Sequence, residues 1–298
     1  MPLFELKLEV GSDVAGEVEE TIAILEDGRL MLLEDKPSSR AWVAGYFENR
    51  DEMAAGLSRL NEILPSEWKR GEAQTRELAD QDWRDSYKTH FKAWTFGRLH
   101  WVPVWERDTF VPPPGHAVIW LDPGLAFGTG NHETTRLCCE RLAAFALSRA
   151  RTERGGRPEV VIDAGCGSGI LALSAARLGF SRVSGFDNDP EAVRVSGENA
   201  ELNDMAGLVE FSTADLVSGL AGRRADLVLA NIQADVLMAF AGSLVQAVAP
   251  GGQLVLSGIL ASENAEVRTV FSTTAPGWRI DSRVMGEWSD LLLERPQD

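Results

Sequence analysis

Asp163-Ala-Gly165-Cys-Gly167-Ser-Gly169 sets three glycines at alternate positions, two residues after a carboxylate. Glycine lets a backbone approach a ligand where any Cβ would clash. The spacing is G-x-G-x-G, whereas a pyrophosphate is more usually seated on a helix N-terminus by G-x-G-x-x-G. Asp163 would repel a pyrophosphate and attract an ammonium group. Asp187 stands 22 residues beyond Gly165, where a carboxylate can accept both hydroxyls of a ribose. Asp189 reads instead as a first-turn helix acid that favours the macrodipole. In Ala230-Asn231-Ile232-Gln233-Ala234, the Asn231 amide can accept an N–H from an amine and aim the nitrogen lone pair. Asn is also common where a strand turns into a helix, so only the conjunction of the three is specific. The four histidines, His90, His100, His116 and His132, have no metal-ligand spacing, and no metal is expected. Nor do Cys138, Cys139 and Cys166 form a zinc or disulfide pattern. Cys166 reads as a small packing residue.

Such residues need elements to hold them. Val160–Asp163 reads as a strand entering the glycine loop, with a helix over Ile170–Leu178 beyond it. Val183–Phe186 is a second strand, ending at Asp187, and Pro190 suits the first position of the next helix. A strand near Leu208–Ser212 precedes another at Asp226–Ala230, which ends at Asn231. A helix around Val236–Val248 leads to a turn at Pro250-Gly251-Gly252 and a strand at Gln253–Ser257. Trp278–Leu293 reads as two strands joined at Gly286. Upstream, Val118–Leu121 is a short apolar segment, followed by a glycine-rich loop and a helix from about Thr134 to Ser148. Strands separated by helices imply an α/β domain over residues 117–298, with a mostly parallel sheet covered on both faces. Ligands of such sheets lie at the carboxyl ends of the strands, where the strand order reverses.

Residues 1–78 form a smaller α+β pattern. Leu3–Val10 alternates as a strand, and Asp13–Glu26 is helical with Val14, Val18, Ile22 and Leu25 on one face. Arg29–Leu33 and Ala41–Glu48 read as a strand pair, and Asp51–Leu64 as a helix ended by Pro65. A short strand near Trp68–Gln74 completes a β-α-β-β-α-β order, the ferredoxin-like arrangement. Residues 79–116 are irregular and aromatic, with Trp83, Tyr87, Phe91, Trp94, Phe96, Trp101, Trp105 and Phe110. They read as a linker that packs between two domains, stopped by Pro112-Pro113-Pro114-Gly115.

The glycine loop, the acid after the second strand and the amide after the fourth resemble the site of class I S-adenosylmethionine-dependent methyltransferases. That resemblance implies a Rossmann-like domain with a mostly parallel seven-stranded sheet. Leu121-Asp-Pro-Gly-Leu-Ala-Phe-Gly-Thr-Gly-Asn-His-Glu-Thr-Thr135, with Asp82-Trp83, Ala230-Asn-Ile and Ser257-Gly-Ile-Leu260, narrows it. Together these resemble the PrmA family, which methylates large-subunit ribosomal protein eleven. The family implies that Thr135, Gly165, Asp187 and Asn231 contact S-adenosylmethionine, with Asp163 and Gly167 in the same loop. A lid around Phe127, Gly128 and Thr129 would fold over the methionine part. It also implies an N-terminal ferredoxin-like substrate-recognition domain and transfer to lysine or N-terminal amines, with Asn231 orienting the amine. The backbone carbonyl of the following residue is a second acceptor. The chain departs from the family in having Asn131-His132-Glu133 where Thr-His-Pro is more frequent, and Gln233 for Leu.

Composition bounds the partners. A net charge of −16 argues against unassisted binding to a phosphate backbone and suits a basic protein partner. No apolar run is long enough to span a membrane. The N-terminus alternates like a strand and not like a signal peptide, so the expected location is cytoplasmic. Rival readings are a lysine methyltransferase for another protein, a nucleic-acid methyltransferase supported by the aromatic stretch, and a non-catalytic cofactor-binding factor.

Overall fold

The computed structural model describes residues 3–23, 29–35, 40–47, 49–78, 93–122, 133–151 and 159–297. The chain divides into two compact units, Met1–Phe91 and Lys92–Asp298.

In the first unit the elements run β1 (Leu3–Val10), α1 (Ala15–Ala23), β2 (Leu30–Asp35), β3 (Arg40–Phe47), α2 (Arg50–Ile63) and β4 (Gln74–Leu78). The sheet order is β2-β3-β1-β4, with every neighbouring pair antiparallel, which is the ferredoxin-like arrangement the pattern predicts. The alternation of β1 decides its two faces. Phe4, Leu6, Leu8 and Val10 enter a core with Val18, Ile22 and Leu60 of the helices. Glu5, Lys7 and Glu9 take the opposite side, where Lys7 and Arg40 both lie over the Trp42 ring, at 4.5 and 4.9 Å. Asn49 caps α2 by accepting from Glu52 N.

The fourth strand differs from expectation. Ser66–Trp68 is a 3-10 turn, and Trp68–Gln74 does not form one strand. Pro65 accepts from Trp68 N to close that turn, Val10 and Lys69 make a single bridge, and regular pairing resumes only at β4. The helix read over Asp13–Glu26 is a 3-10 turn at Ser12–Val14 followed by α1; Leu25 and Glu26 lie outside the described residues.

The second unit opens with β5 (Trp94–Phe96), β6 (Leu99–Pro103) and β7 (Ala117–Leu121), which pair as a three-stranded sheet. There follow α3 (Glu133–Arg151), β8 (Val160–Ala164), α4 (Ile170–Arg177), β9 (Arg182–Asp187), α5 (Pro190–Leu202), β10 (Val209–Thr213) and α6 (Leu216–Leu220). The chain ends with β11 (Ala225–Asn231), α7 (Ala234–Ala239), α8 (Ala241–Gln246), β12 (Val248–Leu260), α9 (Asn264–Thr274), β13 (Arg279–Met285) and β14 (Trp288–Glu294). Seven strands form the main sheet in the order β10-β9-β8-β11-β12-β14-β13. All are parallel except β14, which is antiparallel to both β12 and β13.

Both faces are covered, so successive residues of the central strands enter different cores. Val161, Leu227 and Leu229 face Leu142, Leu171 and Trp101, while Ile162, Val228 and Ala230 face Leu237, Leu244 and Phe271. The aromatic stretch contributes directly to the first of these cores. Trp101 is fully buried and donates from Nε1 to Ser174 Oγ at 2.8 Å. The Asn203 side chain donates to Trp120 O and accepts from Trp120 N, which fixes β7 at the end of α5.

Two expectations near the C-terminal half need correction. The helix read over Val236–Val248 is two short helices broken at Phe240, whose backbone (φ −108°, ψ 17°) leaves helical values. Pro250-Gly251-Gly252 is not a turn before a strand but part of β12. Ala225 and Leu227 pair with Val248 and Gln253, so β12 bulges outward there. Gly251 N donates to Pro296 O and Gly252 O accepts from Arg295 N. The tail thus satisfies the bulged backbone and keeps it extended.

Candidate active site

The strand order reverses between β8 and β11, and the chain leaves both strands there with its chemically distinctive residues. After β8, Gly165 N and Cys166 N both donate to Phe186 O at 2.9 Å, folding the loop back on the end of β9. Its carbonyls are held from α5: Ser196 Oγ donates to Gly167 O at 2.8 Å and Asn199 Nδ2 to Ser168 O at 2.9 Å. Gly165 has φ +71°, which L side chains rarely adopt, and a Cβ on it would sit 2.5 Å from Ile232 Cγ2, so any side chain there would be strained and would displace that of Ile232.

Asp163, the last residue but one of β8, has 1% of its surface exposed, and its Oδ2 accepts from Ala172 N at 3.0 Å in the first turn of α4. Burial pushes its carboxyl up to about 7; the Ala172 N–H opposes that rise and the charge of Asp187 adds to it. A carboxyl so placed is stabilised in its ionised form by any cation that enters the cavity it lines. Asp187 ends β9. Its Oδ2 accepts from Gly167 N at 2.9 Å and its Oδ1 from Asp189 N at 3.0 Å. Each oxygen keeps lone pairs for a further donor, and the backbone bonds fix the plane of the carboxylate. Asp189 is the N-cap of α5, its side chain accepting from Glu191 N. The two neighbouring acids therefore have different work.

Asn231 ends β11, where its Nδ2 donates to Thr135 Oγ1 at 3.2 Å. Thr135 is buried in the first turn of α3, and Ser257 Oγ donates to the preceding carbonyl, Thr134 O, at 3.0 Å. The amide is thereby oriented from two elements. Neither Asn231 Oδ1 nor the Ile232 carbonyl oxygen accepts a hydrogen bond among the described residues.

Two cavities meet at this edge. The first, about 350 Å³, is lined by Thr134, Thr135, Asp163, Gly165, Asn231 and Trp288, among others. The second, about 520 Å³, lies on the other side, against Asp187, Asp215, Leu216, Val236 and Phe240. Gly165, Ile232 and Gln233 border both. Of the residues singled out from sequence, Thr135, Asp163, Gly165, Gly167, Asp187 and Asn231 are brought to this one edge; Phe127, Gly128, Thr129 and His132 lie outside the described residues.

Sequence reasoning assigned no role to Trp288 or Gly258, which also line the first cavity. Trp288 comes from the antiparallel strand at the far end of the chain, and no local spacing links it to the glycine loop. Gly258 carried a signal, a glycine interrupting an apolar strand, which marks a bulge or a close approach. Cys166 lines the cavity too, but burial holds its thiol far above the ordinary range, which disfavours the nucleophilic thiolate. His100 and His116 bond to each other at 2.8 Å beside Thr95 and Phe110, away from these cavities.

Chemically, the Asp187 carboxylate can accept from vicinal hydroxyls, the Asp163 carboxyl can pair with an ammonium, and Asn231 Oδ1 can accept from a hydrogen-bond donor. Comparison with known proteins identifies the family. The family model described as ribosomal protein L11 methyltransferase (PrmA) matches residues 9–296. The ribosomal protein L11 methyltransferase of Geobacter sulfurreducens is 43% identical over 260 residues, covering 85% of this chain and 81% of that protein. That of Azotobacter vinelandii is 38% identical over 308 residues, covering 94% and 99%. Among solved structures, the ribosomal protein L11 methylase of Lactobacillus delbrueckii subsp. bulgaricus aligns with a TM-score of 0.58 and 30% identity, over 70% of this chain and all of that one.

Proposed function

The chain belongs to the ribosomal protein L11 methyltransferase family, and from that premise we propose that it transfers methyl groups from S-adenosylmethionine to lysine side-chain or N-terminal amines of ribosomal protein L11. The observation that carries this reading is Asn231. It is held by Thr135 at the end of β11 and leaves two neighbouring oxygens, its own Oδ1 and the Ile232 carbonyl, free among the described residues. A neutral primary amine has two N–H bonds and one lone pair. Two acceptors at this spot take the N–H bonds and aim the lone pair.

The residues present fit the methyl donor. Asp187 would accept the ribose hydroxyls in the larger cavity, Asp163 would pair with the methionine ammonium in the smaller, and Gly165 leaves room between them. When bound, S-adenosylmethionine supplies an electrophilic methyl carbon, to which the amine nitrogen bonds as the S–CH3 bond breaks to leave a thioether, the ammonium proton passing to solvent. The protein's share is alignment and exclusion of water, with no strong general base. An acceptor lysine, whose amine titrates near 10.4 in water, is favoured in its neutral form by the desolvated wall of Ile232 and Trp288. The lid around Phe127, Gly128 and Thr129 rests on resemblance to the family alone. The ferredoxin-like unit is assigned to substrate recognition, and the net charge of −16 suits a basic ribosomal protein met in the cytoplasm. No helix among the described residues is long and apolar enough to cross a membrane.

The test is transfer of labelled methyl from S-adenosylmethionine to purified L11, with mass spectrometry to locate it. Methylated lysine or N-terminal amine is the expected product. No label, from a preparation that binds the donor by calorimetry, would move the reading to a different protein substrate.

A further inference from the structure

β12 carries a second irregularity beyond the bulge at Pro250–Gly252, and this one lies at the cavity. On its β14 side the pairing steps from Leu256 with Leu291 to Ile259 with Ser289, so β12 has one residue more than its partner. The extra residue falls at Gly258, which has φ +83°. A Cβ built there would lie 2.4 Å from the Ile232 carbonyl oxygen, 2.8 Å from its carbon and 3.1 Å from its nitrogen. These are backbone atoms and cannot swing aside as a side-chain end can. Residue 232 is held on its other sides as well. Its N–H donates to Ser257 O at 3.2 Å, and its side chain fills the space left by the missing Cβ of Gly165. Residue 232 is therefore clamped between two glycines: the peptide before it is pinned through its N–H, the peptide after it lies against Gly258, and its carbonyl oxygen accepts no hydrogen bond among the described residues.

We propose that Gly258 is a positioning residue for the acceptor amine: by lacking a Cβ it lets β12 run against the Ile232 peptide and sets the direction of the carbonyl oxygen that shares the amine's N–H bonds with Asn231 Oδ1. The inference rests on the amine-methylation reading above. Gly258 touches neither amine nor donor in this role; it acts through Ile232. A glycine needed only for the bulge would destabilise the sheet when replaced and slow every substrate alike. A glycine that aims the carbonyl acts in proportion to the number of N–H bonds the amine brings. A primary amine has two N–H bonds to place, a dimethylated amine none.

The experiment compares wild-type protein and Gly258→Ala, both full length, on L11 carrying unmodified lysine and on L11 carrying dimethyl-lysine. Donor affinity is measured alongside by calorimetry. In the variant, kcat on the primary amine should fall about 30-fold, because misalignment of the nucleophile costs turnover, and kcat on dimethyl-lysine by less than about threefold. The KM for L11 and the donor Kd should change much less than kcat on the primary amine, since the polar groups assigned to the donor, Asp163 and Asp187, are untouched. Equal slowing of both substrates, or of neither, overturns the proposal. A wild-type protein that binds donor and methylates neither amine overturns the function itself instead. Ile232→Gly frees the same peptide without adding an atom at 258. It should show the same split between substrates even if the alanine variant does not fold, and equal slowing there overturns the proposal too.

Discussion

A side chain in this site is judged by what holds it and what it leaves free. Asn231 is held through Nδ2 by Thr135, so Asn231→Ala removes an aimed acceptor and little packing. Turnover should drop about 100-fold, with donor affinity in calorimetry changed less than about threefold. An unchanged kcat would end its orienting role. Asp163 makes a pH-dependent case. Its folded-state value is raised to about 7, so the folded chain binds this proton more tightly than the unfolded one. That contribution to stability is fully present below the ordinary carboxylate range and is lost as pH rises through about 7. A cation in the cavity reverses the preference and favours the carboxylate. Donor binding near neutrality should therefore release a proton, seen as a dependence of calorimetric heat on the buffer's ionisation enthalpy, and should tighten from about pH 6 to about pH 7. Asp163→Asn should abolish both effects; persistence of the proton release would place the titrating group elsewhere.

Elements explain why these residues were legible in the sequence and others were not. Asp163, Asp187 and Asn231 were readable because each lies at or next to the carboxyl end of a parallel strand, and every strand of a wound sheet delivers that end to the same edge. Thr135 could be placed only through resemblance, since the loop before α3 has no period of its own. The structure adds what periodicity cannot carry: a helix interrupted at Phe240 to form a cavity wall, a strand that continues through Pro250-Gly251-Gly252, and Trp288 arriving from the antiparallel strand. Each depends on a partner remote in sequence. The same holds for Arg141 of α3, which makes two bonds to Asp290 of β14, at 2.7 and 2.8 Å, and one to Asp281 of β13 at 2.7 Å. Asp290 is 0% exposed, so Arg141→Ala would strand a buried charge. The expected loss is about 3–5 kcal/mol, measured by denaturant unfolding; a loss below about 1 kcal/mol would mean that Asp290 finds another partner.

On the scale of the whole molecule, two units with separate cores should unfold as separate transitions, because cooperativity follows the packed core. Only the unit Lys92–Asp298 contains the cavities. Saturating donor at roughly a hundred times Kd should stabilise that unit by about 2.7 kcal/mol and raise its midpoint by roughly 5–10 °C. The transition of Met1–Phe91 should stay in place. A single transition moving as one would show the two units to be thermodynamically fused. The wall shared by Gly165, Ile232 and Gln233 has a further, pharmacological consequence. On the proposed placement of the donor, a nucleoside mimic confined to the larger cavity would use the Asp187 carboxylate and little else, and selectivity would be poor. A compound that reaches from one cavity past Gly165, Ile232 and Gln233 into the other and ends in an alkylamine beside Trp288 would also meet residues of β12 and β14. Its discrimination between enzymes would come from spanning the two cavities and not from either one alone.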